Sequence, residues 1–160
     1  MQLFTRRVSM TGPPDEIIGY ATDMASFVSD RLGREVALWS VVMGAPVGTM
    51  FYTARVEDVA DLAALTSSLM GDAEYLDKLR GGMHLTAAPA VDSLLSPIHG
   101  ELGDPPPVGS YAGITNAVIA NGQYRDALAW GVEMTQHVES VTGNPGMFLT
   151  SRYGDFGAVT

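Results

Sequence analysis

The sequence predicts an α+β fold in which helices cover one face of a sheet, and three observations predict it. Apolar residues recur every three to four positions in two segments, which is typical of amphipathic helices. Runs of β-branched and aromatic residues lie on both sides of these segments and favour strands. Glycine and proline mark most boundaries between the two patterns. The predicted order is therefore strand, helix, strand, strand, helix, strand.

The first strand and helix are predicted over residues 2–33. Residues 2–11 alternate loosely between apolar and polar side chains and end at the Gly-Pro-Pro turn of residues 12–14. Asp15 and Glu16 suit the exposed amides of a first helical turn. Apolar residues at helical spacing follow, and Gly33 predicts the end of the helix. These apolar positions are Ile17, Ile18, Ala21, Met24, Ala25, Val28 and Leu32.

Two more strands and a second helix complete this half of the chain. Residues 36–43 and 49–56 predict strands joined by a hairpin loop, because both runs are rich in β-branched and aromatic side chains. Asp58 is a natural N-cap for the second helix, which pauses at residues 71–72 and ends at residues 81–82. Residues 83–88 predict the last strand. This order of elements is the split βαβ, or ferredoxin-like, unit.

A weak internal repeat appears when the chain is shifted along itself by 110 positions. Residues 2–50 then align with residues 112–160 without a gap, and 7 of the 49 pairs are identical. The identical pairs are Thr5/Thr115, Val8/Val118, Gly12/Gly122, Met24/Met134, Val28/Val138, Gly33/Gly143 and Gly44/Gly154. Three of them are glycines at predicted element boundaries, where backbone geometry restricts the choice of residue. We interpret the pattern as a tandem duplication.

The repeat divides the chain into three parts. Residues 1–102 are predicted to form a first ferredoxin-like unit with an irregular C-terminal extension. Residues 103–110 contain three consecutive prolines and predict a stiff connector. Residues 111–160 are predicted to form the strand, helix and strand that begin a second unit. Because position 160 aligns with Met50, at the start of a strand, we expect this second copy to be truncated, or to be completed by another chain.

The composition excludes several classes of function. Nine lysines and arginines against eighteen aspartates and glutamates give a net charge of −9, which disfavours nucleic acid and anionic lipid as partners. The absence of cysteine excludes disulfides, thiolate metal sites and a cysteine nucleophile. The N-terminus has no apolar signal-peptide core, and no run approaches the ~18 apolar residues of a membrane span. We therefore expect a cytoplasmic protein with no membrane association.

Residues 69–79, with the sequence LMGDAEYLDKL, resemble the second helix of the dimeric α+β-barrel superfamily. A D-x-E-Y segment in an apolar helix is common there, as in the NIPSNAP-like and antibiotic-biosynthesis-monooxygenase-like groups. The resemblance extends over residues 1–88 by order of elements and over residues 111–160 by duplication. It implies that two ferredoxin-like units pack sheet to sheet, within one chain or in a homo-oligomer, with ligands between each sheet and its helices. Members include cofactor-independent oxygenases, isomerases, haem-degrading enzymes and proteins of no assigned activity.

Arg6 and Asn116 are the candidate ligand-binding residues on the strands. They are equivalent in the repeat, and each is flanked at two-residue spacing by large apolar residues. Such a polar side chain points toward the covered side of the sheet, where it needs a partner or a ligand. Family members often carry a functional polar residue on this first strand. The alternatives are an edge strand with a solvated tip, or an intramolecular salt bridge for Arg6.

His84 and Tyr75 are the candidate catalytic residues. His84 begins the predicted fourth strand, close in sequence to Tyr75, whose hydroxyl can donate a hydrogen bond to a substrate oxygen. The resemblance adds that haem-handling members use a histidine in this region. The competing interpretation of His84 is an ordinary hydrogen-bonded or exposed histidine. Trp39 and Tyr52 are further ligand-binding candidates, because their aromatic surface either lines a pocket or fills the core.

The sequence contains none of the motifs that we associate with metals, nucleotides or hydrolysis. His84, His99 and His137 do not form a metal-ligand spacing with one another or with nearby carboxylates. No G-x-S-x-G stands before a helix, and the glycines form neither a dinucleotide fingerprint nor a Walker loop. We therefore expect neither a metal site nor a cofactor.

Two hypotheses for function remain at this point. The first is a small-molecule-binding α+β-barrel protein, with cofactor-independent oxygenase or isomerase activity as the candidate reactions. The second is a non-catalytic assembly or interaction module whose cleft is filled by side chains. A cavity of about 300 Å³ or more beside the polar residues would favour the first hypothesis. A cleft closed by Trp39, Tyr52 and methionines would favour the second.

Overall fold

The computed structural model describes residues 1–153 and 158–159 and contains two compact units. The first unit comprises Met1 and Leu3–Asp92, and the second comprises Gln2 and the residues from Ser93 on. None of the helices in the described ranges combines the length and the apolar content that a membrane crossing requires.

The first unit has the strand and helix order that the sequence predicts. Its elements are β1 (Gln2–Met10), α1 (Pro14–Leu32), β2 (Val36–Ser40), β3 (Thr49–Val56), α2 (Val59–Met70), α3 (Ala73–Gly81), a 3₁₀ turn (Met83–Leu85) and β4 (Thr86–His99). The strands lie in the order β2-β3-β1-β4. The prediction of an α+β, ferredoxin-like arrangement is therefore confirmed for this unit.

Local signals in the sequence set the ends of the helices. Pro14 occupies the first turn of α1, and Gly33 ends the helix in a left-handed conformation with φ of 60°. The Asp58 side chain caps α2 by accepting hydrogen bonds from two amides of its first turn. Asp72 does the same for α3, since its carboxylate accepts from the amides of Glu74 and Tyr75 at 2.9 and 3.2 Å. The Asp72 cap places the break between α2 and α3 at the predicted pause, residues 71–72.

The core of the first unit lies between α1 and one face of the sheet. Met10, Ile17 and Met50 form part of a buried cluster, and Tyr52 packs against it. In the antiparallel pair of β2 and β3, Leu38 is opposite Tyr52 and also packs against this cluster. Because successive side chains on a strand alternate between faces, every second residue of β1, β2 and β3 faces α1.

Two strand predictions are corrected by the structure. The last strand of the first unit is not residues 83–88, since Met83–Leu85 is a 3₁₀ turn and β4 runs from Thr86 to His99. The weakly apolar stretch of residues 89–101 was expected to be irregular. The strand accommodates Pro97 because its pairing with β6 shifts register on both sides, and such irregularities are where sheets tolerate proline. In addition, β2 ends at Ser40, so residues 41–43 belong to the loop.

The second unit contains the remaining elements. They are β5 (Ala117–Val118), α4 (Tyr124–Thr142), β6 (Phe148–Tyr153) and β7 (Ala158–Val159). The later part of β4 pairs antiparallel with β6, and the strands lie in the order β4-β6-β7-β5. Gly131 fixes how closely α4 approaches β6, because a Cβ there would lie 2.3 Å from the Phe148 ring. The first strand of the predicted second copy, β5, is only two residues long.

The duplication and the division at residues 102 and 110 stay predictions. In the predicted repeat, β5, α4, β6 and β7 are the counterparts of β1, α1, β2 and β3. Their strand order in the second unit, β6-β7-β5, matches the order β2-β3-β1 in the first. Of the identical pairs in the repeat, Gly44/Gly154 cannot be compared, because Gly154 lies outside the described residues.

Candidate functional site

Arg6 lies on the helix-facing side of β1, as its apolar neighbours predicted. It forms a bidentate ion pair with Asp92 of β4, with Nε to Oδ1 and Nη2 to Oδ2 distances of 2.7 Å. The two side chains are 31% and 45% exposed, so the pair is within reach of solvent. The hydrogen bonds that Arg6 donates to Asp92 raise the pKa of Arg6, although burial acts in the opposite direction. The predicted alternative of a salt bridge for Arg6 is therefore what the structure contains.

Tyr75 connects this ion pair to the helices. Its side chain is only 3% exposed, and its hydroxyl interacts with the Arg6 guanidinium, which further raises the pKa of Arg6. The Asp72 cap at the start of α3 fixes the backbone of Tyr75. Tyr75 and Arg6 thus form one cluster between a helix and the sheet.

Two more tyrosines belong to this cluster. Burial raises the pKa of Tyr52 and that of Tyr20, with a smaller contribution in each case from the nearby Tyr75. Both hydroxyls therefore stay protonated near neutral pH and act as donors. The Tyr52 hydroxyl donates to the Ala21 carbonyl at 3.4 Å, and the Tyr20 hydroxyl donates to the Lys78 carbonyl at the same distance. These bonds are long, so a better acceptor at the same place would compete with them.

A cavity of about 290 Å³ opens on the same side of the sheet. Its walls include Met10, Ile17 and Met50 of the buried cluster against which Tyr20 and Tyr52 pack. Its rim includes Val47, which is fully exposed in the β2–β3 loop. The lining is mainly apolar and contains none of the predicted site residues. A strand rises ~3.3 Å per residue, so the Met10 end of β1 lies roughly 13 Å from Arg6.

Trp39 is not on this side of the sheet. It pairs with Phe51, whereas its neighbour Leu38 and Tyr52 face α1. The Trp39 indole nitrogen donates to the Thr53 hydroxyl at 3.1 Å, which is again a residue of the opposite face. Of the two predicted aromatic ligand-binding residues, only Tyr52 therefore lines the space between the sheet and α1.

Asn116 and His84 both lie outside the strands on which they were predicted. Asn116 is exposed in the second unit, immediately before β5. His84 lies in the 3₁₀ turn after α3 and not at the start of a strand, and its side chain is 63% exposed. Its Nε2 atom is 2.9 Å from Oε1 of Glu16, in the first turn of α1. This is the ordinary hydrogen-bonded and exposed histidine that we set against the catalytic interpretation.

The His84–Glu16 pair predicts a pH effect. The hydrogen bond to Glu16 raises the pKa of His84 above 6.5. Because the folded value is higher than the unfolded one, the stabilisation is complete below pH 6.5 and is lost as pH rises through the folded value. In an NMR titration of the imidazole, we expect Glu16→Gln to move the His84 midpoint down toward 6.5. The neighbouring change Asp15→Asn should leave that midpoint in place; an equal shift in both variants would contradict the pairing.

Asp92 is the functional candidate that sequence reasoning missed. It lies in the segment that we expected to be irregular, so its position beside β1 was not foreseen. In this topology the last strand, β4, lies beside β1, so a residue of that strand is the expected partner for Arg6. Had the last strand been extended past residue 88, an acidic partner for Arg6 would have been evident.

No group of three or more histidine or acidic side chains in the described residues is arranged to hold a metal ion. The cluster of Arg6, Asp92 and the tyrosines offers hydrogen-bond donors, a cation and a carboxylate. Such a set stabilises negative charge on a bound oxygen.

The fold resembles that of several solved structures. A NIPSNAP family protein of unknown function from Agrobacterium tumefaciens has 19% sequence identity and a TM-score of 0.51, with 59% of this chain and 85% of that chain covered. A NIPSNAP-like domain protein from Burkholderia xenovorans has 14% identity and a TM-score of 0.53, with 66% and 90% covered. A cofactor-independent oxygenase from Streptomyces nogalater has 15% identity and a TM-score of 0.43, with 58% and 88% covered.

At the level of sequence, no protein-family model matches this chain, and a search of curated proteins found no significant match. Identities below 20% support a statement about fold and not about activity. The chain has the α+β, ferredoxin-like fold of NIPSNAP proteins, which confirms the resemblance predicted from residues 69–79.

Proposed function

We propose that the first unit binds a small organic molecule between its helices and its sheet. The observation that supports this is the position of the 290 Å³ cavity on the same face of the sheet as Arg6, Tyr52 and Tyr75. The volume is just below the usual range for ligand pockets, ~300–1,000 Å³. The apolar lining suits the hydrocarbon part of the ligand, and the tyrosine hydroxyls suit its polar part.

The polar cluster favours a ligand with an acidic oxygen, such as a phenol or an enol. Tyrosine hydroxyls that stay protonated and a guanidinium that is always charged are donors, and donors stabilise a phenolate or an enolate. Asp92 supplies a carboxylate that can accept the proton. Cofactor-independent oxygenation and isomerisation both begin when a substrate loses a proton and forms such an anion. We therefore place the reaction in one of these two classes.

Binding can be tested with 2-naphthol and naphthalene, which differ only in a hydroxyl. We expect Arg6→Met to weaken the binding of 2-naphthol about tenfold or more, because a hydrogen bond to a charged group is lost. The affinity for naphthalene should not change. Arg7→Met is the matched control, since Arg7 is exposed and adjacent but faces the other side of β1. Isothermal titration calorimetry checks this, and equal losses for both probes would show that the hydroxyl of 2-naphthol does not bind Arg6.

Catalysis can be tested through the proton loss that both reactions share. In heavy water without oxygen, we expect the protein to accelerate deuterium exchange at the carbon between the ring and the carbonyl of 2-tetralone, as followed by NMR. Arg6→Met should slow that exchange about a hundredfold, the effect of losing one donor to an oxyanion. Oxygen consumption by the same mixture in air then separates an oxygenase from an isomerase. Exchange at the uncatalysed rate would show that the protein does not catalyse this proton loss, and the proposal would then be limited to binding.

The second candidate function is a non-catalytic interaction module. One observation favours it, namely the row of exposed apolar side chains on α4 in the second unit. Exposed apolar patches of this kind often mark sites of protein association.

A further inference from the structure

Helix α4 carries an apolar stripe that faces solvent. Trp130, Met134, Val138 and Val141 are spaced by four, four and three residues, so they lie on one face of the helix. Their exposed fractions are 59%, 43%, 49% and 71%. We call these four residues the α4 stripe. An amphipathic helix in a globular protein normally buries such a face.

The corresponding face of α1 shows what covers a stripe of this kind. In the predicted repeat, Tyr20 and Met24 are the counterparts of Trp130 and Met134. The Met24 side chain is buried, with a relative exposure of 6%. The end of α3 lies over Tyr20, because a Cβ at Gly82 would be 2.0 Å from the Tyr20 ring. The Tyr20 hydroxyl also donates to the carbonyl of Lys78 in the last turn of α3.

A charge pair accompanies this packing. The ammonium group of Lys78 in α3 pairs with Asp23 of α1. Glu133 of α4 is the counterpart of Asp23 in the predicted repeat, and both are acidic. On α4, Glu133 precedes Met134 by one position, as Asp23 precedes Met24 on α1. The start of the α4 stripe, Trp130 with the nearby Glu133, thus repeats the aromatic residue and the acidic residue that α1 presents to the end of α3.

We propose that the α4 stripe docks an amphipathic helix of a partner protein with the chemistry of α3. The partner helix carries a lysine that faces Glu133 and, one turn later, a glycine that lies against Trp130. Its apolar face covers Met134 and Val138. The positive charge on the partner complements the acidic flank of the stripe, which favours this occupant over a second copy of α4. The inference does not depend on small-molecule binding by the first unit.

A peptide with the sequence of residues 58–82 is the probe, because it contains α2 and α3 together with both capping aspartates. The chain has two tryptophans, so a Trp39→Phe background leaves Trp130 as the only reporter. We expect saturable binding with a blue shift of the Trp130 emission. Met134→Asp should weaken binding at least tenfold, and circular dichroism shows whether that variant is folded.

A charge exchange provides the decisive measurement. A peptide with Lys78→Glu should bind the unmodified protein about tenfold more weakly and should regain affinity for a Glu133→Lys protein. Gln136→Lys is the control, because it also introduces a lysine on α4 but at a position that faces away from the stripe. Failure of the peptide to bind, or binding that Met134→Asp and the charge exchange do not alter, would overturn the proposal. A dimer in sedimentation that Met134→Asp dissociates, without competition from the peptide, would assign the stripe to a second copy instead.

Discussion

Replacement of Gly48 by alanine is expected to destabilise the first unit by about 3–5 kcal/mol, through two separate costs. Gly48 has φ of +85°, a conformation that a residue with a Cβ adopts only with strain. A Cβ at this position would also lie 2.2 Å from the carbonyl oxygen of Met10, which is backbone and cannot swing away. Relief of that contact would break the bond from the Met10 amide to the Gly48 carbonyl, now 2.9 Å long.

Gly44 in the same loop is the matched control. Its φ of +89° is nearly the same, but an added Cβ would meet nothing within 4 Å. Gly44→Ala therefore introduces backbone strain without a steric clash, and we expect it to reduce the free energy of unfolding by about 1–2 kcal/mol. The free energies of unfolding come from urea titrations followed by Trp39 fluorescence in a Trp130→Phe background, so that the signal reports the first unit. Equal losses for the two variants would show that the contact with Met10 relaxes freely.

This contact also bears on the candidate site. Gly48, Met10 and Met50 all line the 290 Å³ cavity, so the close approach of the loop to the end of β1 shapes one of its walls. A side chain at position 48 would therefore change the cavity as well as the stability. Binding of naphthalene to Gly48→Ala should be weaker than binding to Gly44→Ala in conditions where both variants are folded.

The sequence predicted the structure best where a local pattern of residues is compatible with only one backbone conformation. Helix α1 was predicted because its apolar spacing, its N-terminal proline and Gly33 all agree, and β3 because residues 49–56 are strongly β-forming. The orientation of Arg6 followed from the alternation of side chains along β1, which is a property of any strand. In each case the signal and its consequence lie within a few residues of each other.

The features that sequence reasoning missed depend on contacts between distant segments. The segment after residue 88 has only a weak apolar pattern, and the pairing of its later part with β6 is what shows that it is a strand. Asp92 was missed for the same reason, because its partner Arg6 is 86 residues away in the chain. Trp39 was assigned to the ligand by its chemistry, and the choice between the two faces of β2 required the pairing with β3.

Truncation of Tyr75 is expected to produce the other large effect. Its side chain is 3% exposed, and Tyr75→Ala should cost about 3–5 kcal/mol, as for other large aromatic residues removed from a core. Tyr75→Phe keeps the ring and removes only the hydroxyl next to Arg6, so we expect a loss of about 1 kcal/mol. Tyr111→Ala, at a position that is 88% exposed, should change stability by less than about 0.5 kcal/mol.

The comparison of these variants separates the two contributions of Tyr75. Urea titrations give the loss in stability, and the affinity for 2-naphthol gives the contribution of the hydroxyl to the site. If the cluster binds an acidic oxygen, Tyr75→Phe lowers the affinity for 2-naphthol and leaves that for naphthalene unchanged, because the ring still fills its place in the core. If Tyr75 only packs, both affinities persist in Tyr75→Phe while Tyr75→Ala still unfolds readily. The second result would remove Tyr75 from the site and leave the Arg6–Asp92 ion pair in it.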